Sequence, residues 1–322
     1  MSYWDIIHIE FVKVVRDFFY HAYIPFHANA IFIALIPKNQ NSIVIRFFRP
    51  VAIGITHTKD ISKILANKLG SEAKDLVTKN QFGFVPRRNI QNCIFTASEC
   101  VNIMRKKGSY GYMDLKVDIL KAFDTMKWSF SFAVLILHGF FNDCISLINC
   151  FLKSSMFSFH VNGSPGELFG CLRGVRQGDP LCGLLFALAE DYLIFCISDL
   201  VHAGLFQQMS FGRGLFSPSH LLYADDILLF GKADRITIHY IKATIEHYEV
   251  VSGQVISWGE SYVFFGEGVI ISKKTKLHGS LGLREDVYLL IILGFLFFGV
   301  LLNDATWTIS NSEFLIRWLP GK

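Results

Sequence analysis

Residues 219–230 read SHLLYADDILLF. Two adjacent carboxylates, Asp225 and Asp226, sit between apolar runs, Leu221-Leu222 before and Ile227-Leu228-Leu229-Phe230 after. The pattern predicts a β-hairpin with two acids at its tip. Adjacent acids in apolar surroundings repel each other and lose hydration unless a cation neutralises them. A hard divalent cation such as Mg²⁺ does this with oxygen ligands. A plain turn, where Asp-Asp is common, is the competing reading of the pair taken alone.

Two further stretches bear on that choice. Residues 110–119 (YGYMDLKVDI) alternate as a strand does, with Asp118 near the end and Lys121-Ala122-Phe123-Asp124 following. If Asp118 and one acid of the 225–226 pair meet on adjacent strands, they build a two-metal site for in-line phosphoryl transfer. The competing role for Asp118 is a surface acid capping a helix. Residues 174–181 (GVRQGDPL) supply Gly174 and Gly178 for close backbone approach, with Arg176 and Gln177 as polar groups beside them. Asp179-Pro180 fits the cap and first turn of a long buried helix over 181–201.

The rest of the chain mixes helices and strands. Apolar spacing predicts helices over 3–20, 60–69, 90–107, 130–139, 143–152 and 236–251. Strands are expected over 31–36 and 43–48, the second ending at Arg49-Pro50, and a hairpin turn at 162–166 joins 157–161 to 168–172. The fold class is therefore α+β.

Composition is unusually apolar for 322 residues: 52% hydrophobic, 15% aromatic with 31 Phe, and 18% charged. Mean hydropathy is +0.37. These values exclude a disordered, collagen-like or coiled-coil chain but leave a membrane protein open. Val287–Leu302 is the most membrane-like run, uncharged but shorter than the roughly 20 residues a spanning helix needs. The net charge of +4 is uneven. Residues 1–127 hold 18 Lys and Arg against 10 Asp and Glu, and the remainder holds 13 against 17. A basic front half suits a polyanionic partner, although an uneven scatter of surface charge gives the same count. Seven cysteines without a CxxC pair argue for reduced thiols. No secretory signal is evident at the start, so an intracellular setting is expected.

KVDILKAFDTMKW (116–128), GVRQGDPLCGLLF (174–186) and LLYADDILLF (221–230) occur in the order of reverse transcriptase motifs A, B and C. They resemble those of non-LTR (LINE-type) retrotransposons, particularly the plant ones. FIALIPKNQN (32–41), FFRPVAIG (47–54), ISKILANKL (61–69), NQFGFVPRRNIQN (80–92) and SGQVISWGESYVFFG (252–266) extend the resemblance across most of the chain. It implies a right-hand polymerase with fingers over about 1–110 and 126–215 and a palm over about 111–125 and 216–302. The thumb would be largely missing and residues 303–322 an unassigned tail. It also implies an RNA-directed DNA polymerase that adds dNTPs to a DNA primer on an RNA template. Asp118, Asp225 and Asp226 would be catalytic and hold two Mg²⁺ ions. Phe123 would exclude a 2′-hydroxyl, Gln177 would lie against the nucleotide, and Lys38 and Arg49 would grip its triphosphate. Such a polymerase works where its target DNA is, which implies access to the nucleus.

Several positions depart from the family pattern. Glu260 stands where a lysine is usual, a charge reversal expected to slow catalysis. Arg88 is read in place of a glycine, at a cost of about 1 kcal/mol if that glycine has positive φ. The string after Ile292 is hard to follow, and neither an endonuclease domain nor a zinc knuckle flanks the motifs. The expectation is a truncated, partly degenerate piece of a longer element. The alternatives are a catalytically inactive remnant with residual nucleic-acid binding and a membrane-associated protein using 287–302. No membrane association is expected, because 287–302 reads better as drift from a strand-and-turn segment. The oligomeric state is left open.

Overall fold

The computed structural model describes residues 3–37, 43–106, 111–161, 164–212, 215–281 and 284–285. Helix α1 (Tyr3–His21) leads into β1 (Ala30–Pro37) and β2 (Phe48–Gly54), which pair antiparallel. Helices α2 (Thr56–Leu76) and α3 (Ile90–Met104) precede β3 (Tyr112–Asp118). A short turn of helix, α4 (Ala122–Thr125), joins β3 to α5 (Trp128–Leu137) and α6 (Asn142–Lys153). Strand β4 (Met156–Val161) then pairs with β5 (Ser164–Pro165) and β6 (Phe169–Gly170), as the turn at 162–166 predicts.

The long helix α7 (Pro180–His202) follows, then a small hairpin, β7 (Ser210–Gly212) and β8 (Leu215–Phe216). The acid-bearing hairpin is β9 (His220–Tyr223) and β10 (Asp226–Lys232). Helix α8 (Arg235–Ser252), β11 (Tyr262–Phe265), α9 (Ile271–Leu281) and β12 (Arg284–Glu285) complete the described chain.

Two five-stranded sheets organise these elements. The first has the order β2-β1-β4-β5, with β6 also on β4 and a parallel β1–β4 pair. The second has the order β12-β11-β3-β10-β9, with β3 in the middle. The strand expected over 43–48 forms later, at 48–54, after a short 3₁₀ turn at Ile45–Phe47. Pro50 does not end it. Proline cannot donate to a ladder, but β2 is an edge strand, where a missing N–H is tolerated.

Helix α7 holds the core together. Asp179 starts it by accepting hydrogen bonds from the N–H groups of Leu181 (3.0 Å) and Cys182 (3.2 Å), and Pro180 occupies the first turn, as expected. It packs against α2, α5 and α8 and is buried on nearly every side. Among the described residues it is the one helix long and apolar enough to cross a membrane, yet 78% of its apolar window is buried inside the protein. Residues 287–302 lie outside the described residues. All seven cysteines are free thiols.

Candidate active site

The central observation is a strand register. Asp226, the first residue of β10, lies directly opposite Asp118, the last residue of β3. Asp118 therefore ends a strand and caps no helix. Asp225 sits one residue earlier in the two-residue loop of the β9–β10 hairpin. The apolar runs read around the pair are the buried ladders that hold it: Leu221, Leu222, Ile227, Leu228 and Leu229 are all buried.

The loop is held in a costly shape. Ala224, its first residue, has φ +57°, in the region that favours glycine. Behind it runs the segment 80–84. The Phe82 N–H donates to the Leu222 carbonyl (2.8 Å), and the Leu222 N–H donates to the Asn80 carbonyl (2.9 Å). Gly83 passes so close that a Cβ there would overlap the Ala224 nitrogen. This strap fixes the hairpin tip from outside the sheet.

Asp118 is fastened on its other flank. Its N–H donates to the Ser261 hydroxyl (3.0 Å), and its carbonyl accepts from the Ser257 N–H (2.8 Å). That brings Glu260 into the electrostatic surroundings of Asp118. Burial raises the Asp118 carboxyl from 3.8 to about 6; Lys116 opposes the shift, while Glu260, Asp225 and Asp226 add to it. Asp225 is also pushed up, first by burial and then by Asp226, against the pull of Lys116 and Arg49.

Lys116 balances part of this charge. Its Nζ lies 3.0 Å from Asp226 Oδ1, and its side chain is only 4% exposed. It lies two residues before Asp118, on the same face of β3. Asp114 shares that face, and its buried carboxyl oxygens both lack a hydrogen-bond partner. Burial raises the Asp114 carboxyl from 3.8 to about 8, with Lys116 opposing. The signal for Asp114 and Lys116 in the sequence is their period-two spacing with Asp118 along the strand.

The stretch 174–179 is laced to α4. The Gly174 N–H donates to the Met126 carbonyl (2.7 Å), and the Val175 N–H donates to the Phe123 carbonyl (2.7 Å). Trp128 Nε1 donates to the Gly174 carbonyl (2.6 Å). Gly174 has φ +80°, and a Cβ there would meet the Asp124 carbonyl oxygen at 2.7 Å. Phe123 is half-buried, stacks on Phe186 (4.6 Å between centroids) and meets Phe84 edge-on (5.8 Å). The Gln177 carbonyl accepts from the Ala52 N–H (3.3 Å), tying this loop to β2, and its side chain is half-buried.

Arg176 turns inward. It donates to Asn29 Oδ1 (3.0 Å), the Phe151 carbonyl (3.1 Å) and the Ser155 hydroxyl, and it lies over the Phe151 ring. Arg49 is exposed on β2 and reaches Asp225 electrostatically. Lys38 lies outside the described residues. The expectation for Arg88 needs correcting: the positive φ (+66°) belongs to Arg87. Arg88 instead donates to the carbonyls of Lys74, Val77, Thr78 and Gln81, closing the C-terminal end of α2.

Among the described residues, no group of three or more His, Cys, Asp or Glu is drawn together tightly enough to hold a metal ion. The chemistry of the site still suits one. Glu260, Asp225 and Asp226 all act electrostatically on Asp118, whereas Lys116 supplies a single buried cation beside them. A surplus of carboxylate oxygens at the mouth of a sheet is a donor set for a hard divalent cation.

Comparison with known proteins agrees with the motif order. The family described as "Reverse transcriptase (RNA-dependent DNA polymerase)" matches residues 36–259. The chain is 26% identical over 260 residues to "Transposon TX1 uncharacterized 149 kDa protein" of Xenopus laevis, covering 80% of this chain and 19% of that protein. It is 27% identical over 198 residues to "Retrovirus-related Pol polyprotein from type-1 retrotransposable element R2" of Nasonia vitripennis, covering 62% of this chain and 18% of that one. The chain thus spans about a fifth of the length of these relatives. Among solved structures, apo telomerase of Candida tropicalis, truncated from its C-terminal domain, superposes with TM-score 0.55 at 13% identity. The match covers 75% of this chain and 51% of that one. The same telomerase in complex with an RNA fragment superposes at 0.54, also at 13% identity, over 82% of this chain and 45% of that one. The shared architecture is the right-hand polymerase fold, and this chain belongs to the reverse transcriptase (RNA-dependent DNA polymerase) family as a domain of the non-LTR retrotransposon type.

Proposed function

We propose that this domain is an RNA-directed DNA polymerase that extends a DNA primer with dNTPs on an RNA template, using two Mg²⁺ ions. The observation that carries this reading is the placement of Asp118 opposite Asp226, with Asp225 at the adjoining hairpin tip. These three carboxylates would hold the ions, which when bound activate the primer hydroxyl and neutralise the departing pyrophosphate. In this reading the sheet centred on β3 is the palm, and the sheet containing β1, β2 and β4 belongs to the fingers.

The chain's own residues supply the rest. Arg49, exposed on β2 within electrostatic reach of Asp225, meets the triphosphate, with Lys38 assigned to the same task by resemblance. Phe123, braced by Phe186 and Phe84, bars a 2′-hydroxyl. Gln177 lies against the nucleotide from a loop tied to both α4 and β2. The test is Mg²⁺-dependent dNTP incorporation on a primed poly(rA) template, with Asp225→Asn as control. Incorporation should fall to background in the variant, and a wild-type chain with no incorporation refutes the reading.

One observation favours a second reading, a non-catalytic remnant that keeps some affinity for nucleic acid. Glu260 adds negative charge beside Asp118, where a cation is usual in the family. If this is the lesion, Glu260→Lys should restore incorporation to an otherwise silent chain.

A further inference from the structure

A buried chain of side chains runs from α7 to the turn that carries Phe123. Glu190 lies four residues after Phe186, so the two share a face of α7. The Tyr248 hydroxyl, on α8, lies 2.8 Å from Glu190 Oε1 and also touches Gln254 Oε1. Gln254 Nε2 donates to the Ala122 carbonyl (3.2 Å), immediately before Phe123. Glu190, Tyr248 and Gln254 are all buried.

The donor count fixes the direction of this chain. Gln254 donates from nitrogen to a carbonyl, so its Oε1 is an acceptor. A tyrosine hydroxyl has one proton, and Tyr248 must give it to Gln254. Glu190 must then donate to Tyr248, as only a neutral carboxylic acid can. The second Glu190 oxygen is buried without a partner, which suits a neutral carboxyl better than a carboxylate. Burial also raises this carboxyl to about 8.

The backbone around the relay leads to the same turn. The Leu120 N–H donates to the Val255 carbonyl (2.8 Å), and the Lys127 N–H donates to the Ser252 carbonyl (2.8 Å). Residues 252–255 thus clamp both ends of the segment 120–127, and Gln254 reaches its middle. Helix α7 acts on Phe123 twice, through the stacked Phe186 ring and through this relay.

We propose that Glu190, Tyr248 and Gln254 are positioning residues that set the Phe123 ring and thereby the preference for deoxynucleotides over ribonucleotides. The proposal rests on the reading of Phe123 as the barrier to a 2′-hydroxyl.

The test compares the full chain with Tyr248→Phe, Glu190→Leu and Glu190→Gln. Amide hydrogen exchange is followed by mass spectrometry, and dNTP and rNTP incorporation are measured side by side. Tyr248→Phe and Glu190→Leu should speed exchange over 119–128 and 172–178 roughly tenfold, the size of one buried hydrogen bond, while leaving 30–54 unchanged. Both should also lower the dNTP/rNTP ratio roughly tenfold. Glu190→Gln should match wild type in both respects, because its amide nitrogen donates to Tyr248 as the acid does. Uniformly faster exchange along the chain, or a loosened turn with an unchanged ratio, overturns the proposal. A wild-type chain that incorporates nothing sinks the polymerase reading instead, and the exchange pattern then decides whether the relay holds the turn.

Discussion

Replacing Asp114 by Asn should stabilise this protein at neutral pH, an unusual outcome for a change at a fully buried position. Asp114 is completely buried, opposite Phe230 on β10 and Phe264 on β11 in the strand register, and neither of its carboxyl oxygens has a hydrogen-bond partner. Its ionisation is displaced from 3.8 to about 8, with burial as the largest cause. The nearby ammonium of Lys116 is engaged with Asp226 and pulls this value down only in part.

A carboxyl whose folded value is raised stabilises the fold below the unfolded value and loses that contribution as pH climbs toward the folded value. Between pH 4 and pH 8 the unfolded chain ionises at this position and the folded chain does not. At pH 7 the difference is worth about 4 kcal/mol in favour of unfolding, at 1.36 kcal/mol for each unit of displacement. Asn has the same shape and does not titrate. Urea unfolding of both proteins at several pH values should give equal stability near pH 4. The variant's advantage should grow through neutrality and level off above pH 8. A constant difference across that range would show that Asp114 is ionised in the folded protein and paired with Lys116, and the argument would fail.

Other consequences are as direct. Gly83→Ala drives a Cβ into the Ala224 backbone and should cost roughly 1–3 kcal/mol in thermal unfolding; wild-type stability would show that the strap does not bear on the hairpin. Lys116→Met leaves Asp226 without its cation and should lower stability by about 3 kcal/mol in the absence of divalent ions, the low end for a broken buried pair because Asp226 is partly exposed. Added Mg²⁺ should raise the melting temperature of this variant more than that of wild type; an equal response in both would count against a metal at Asp226. Glu260→Lys should raise the rate of dNTP incorporation roughly a hundredfold, the low end of what a positioned proton donor supplies. An unchanged rate would clear Glu260 of blame.

The parts of the fold that could be read in advance were those written in short-range pattern. The 219–230 hairpin announced itself because apolar runs on both sides of a turn leave few alternatives, and Asp179-Pro180 is a helix start by local chemistry alone. Asp118 was legible once a second strand was allowed to stand beside the hairpin. Pro50 misled because whether proline ends a strand depends on that strand's place in the sheet, a non-local fact. The strap at 80–84 was opaque as structure for the same reason, since its partner Leu222 is far along the chain and nothing local marks Gly83 as a contact. Arg87 and Arg88 show a subtler failure: neighbouring identical residues exchange roles when only one of them takes the left-handed backbone.

Helix α7 has a consequence for how this protein must be made. Its 23 residues are as apolar as a membrane anchor, and the covering that hides them comes from both directions along the chain. Helices α2 and α5 leave the ribosome first, but α8 emerges only after the acid-bearing hairpin has been synthesised. During that interval the nascent chain displays an apolar rod of spanning length with its α8-facing side uncovered, open to capture by chaperones, by insertion machinery or by another nascent copy. Yield in a foreign host should therefore depend less on the stability of the finished domain than on the time taken to translate residues 203–252.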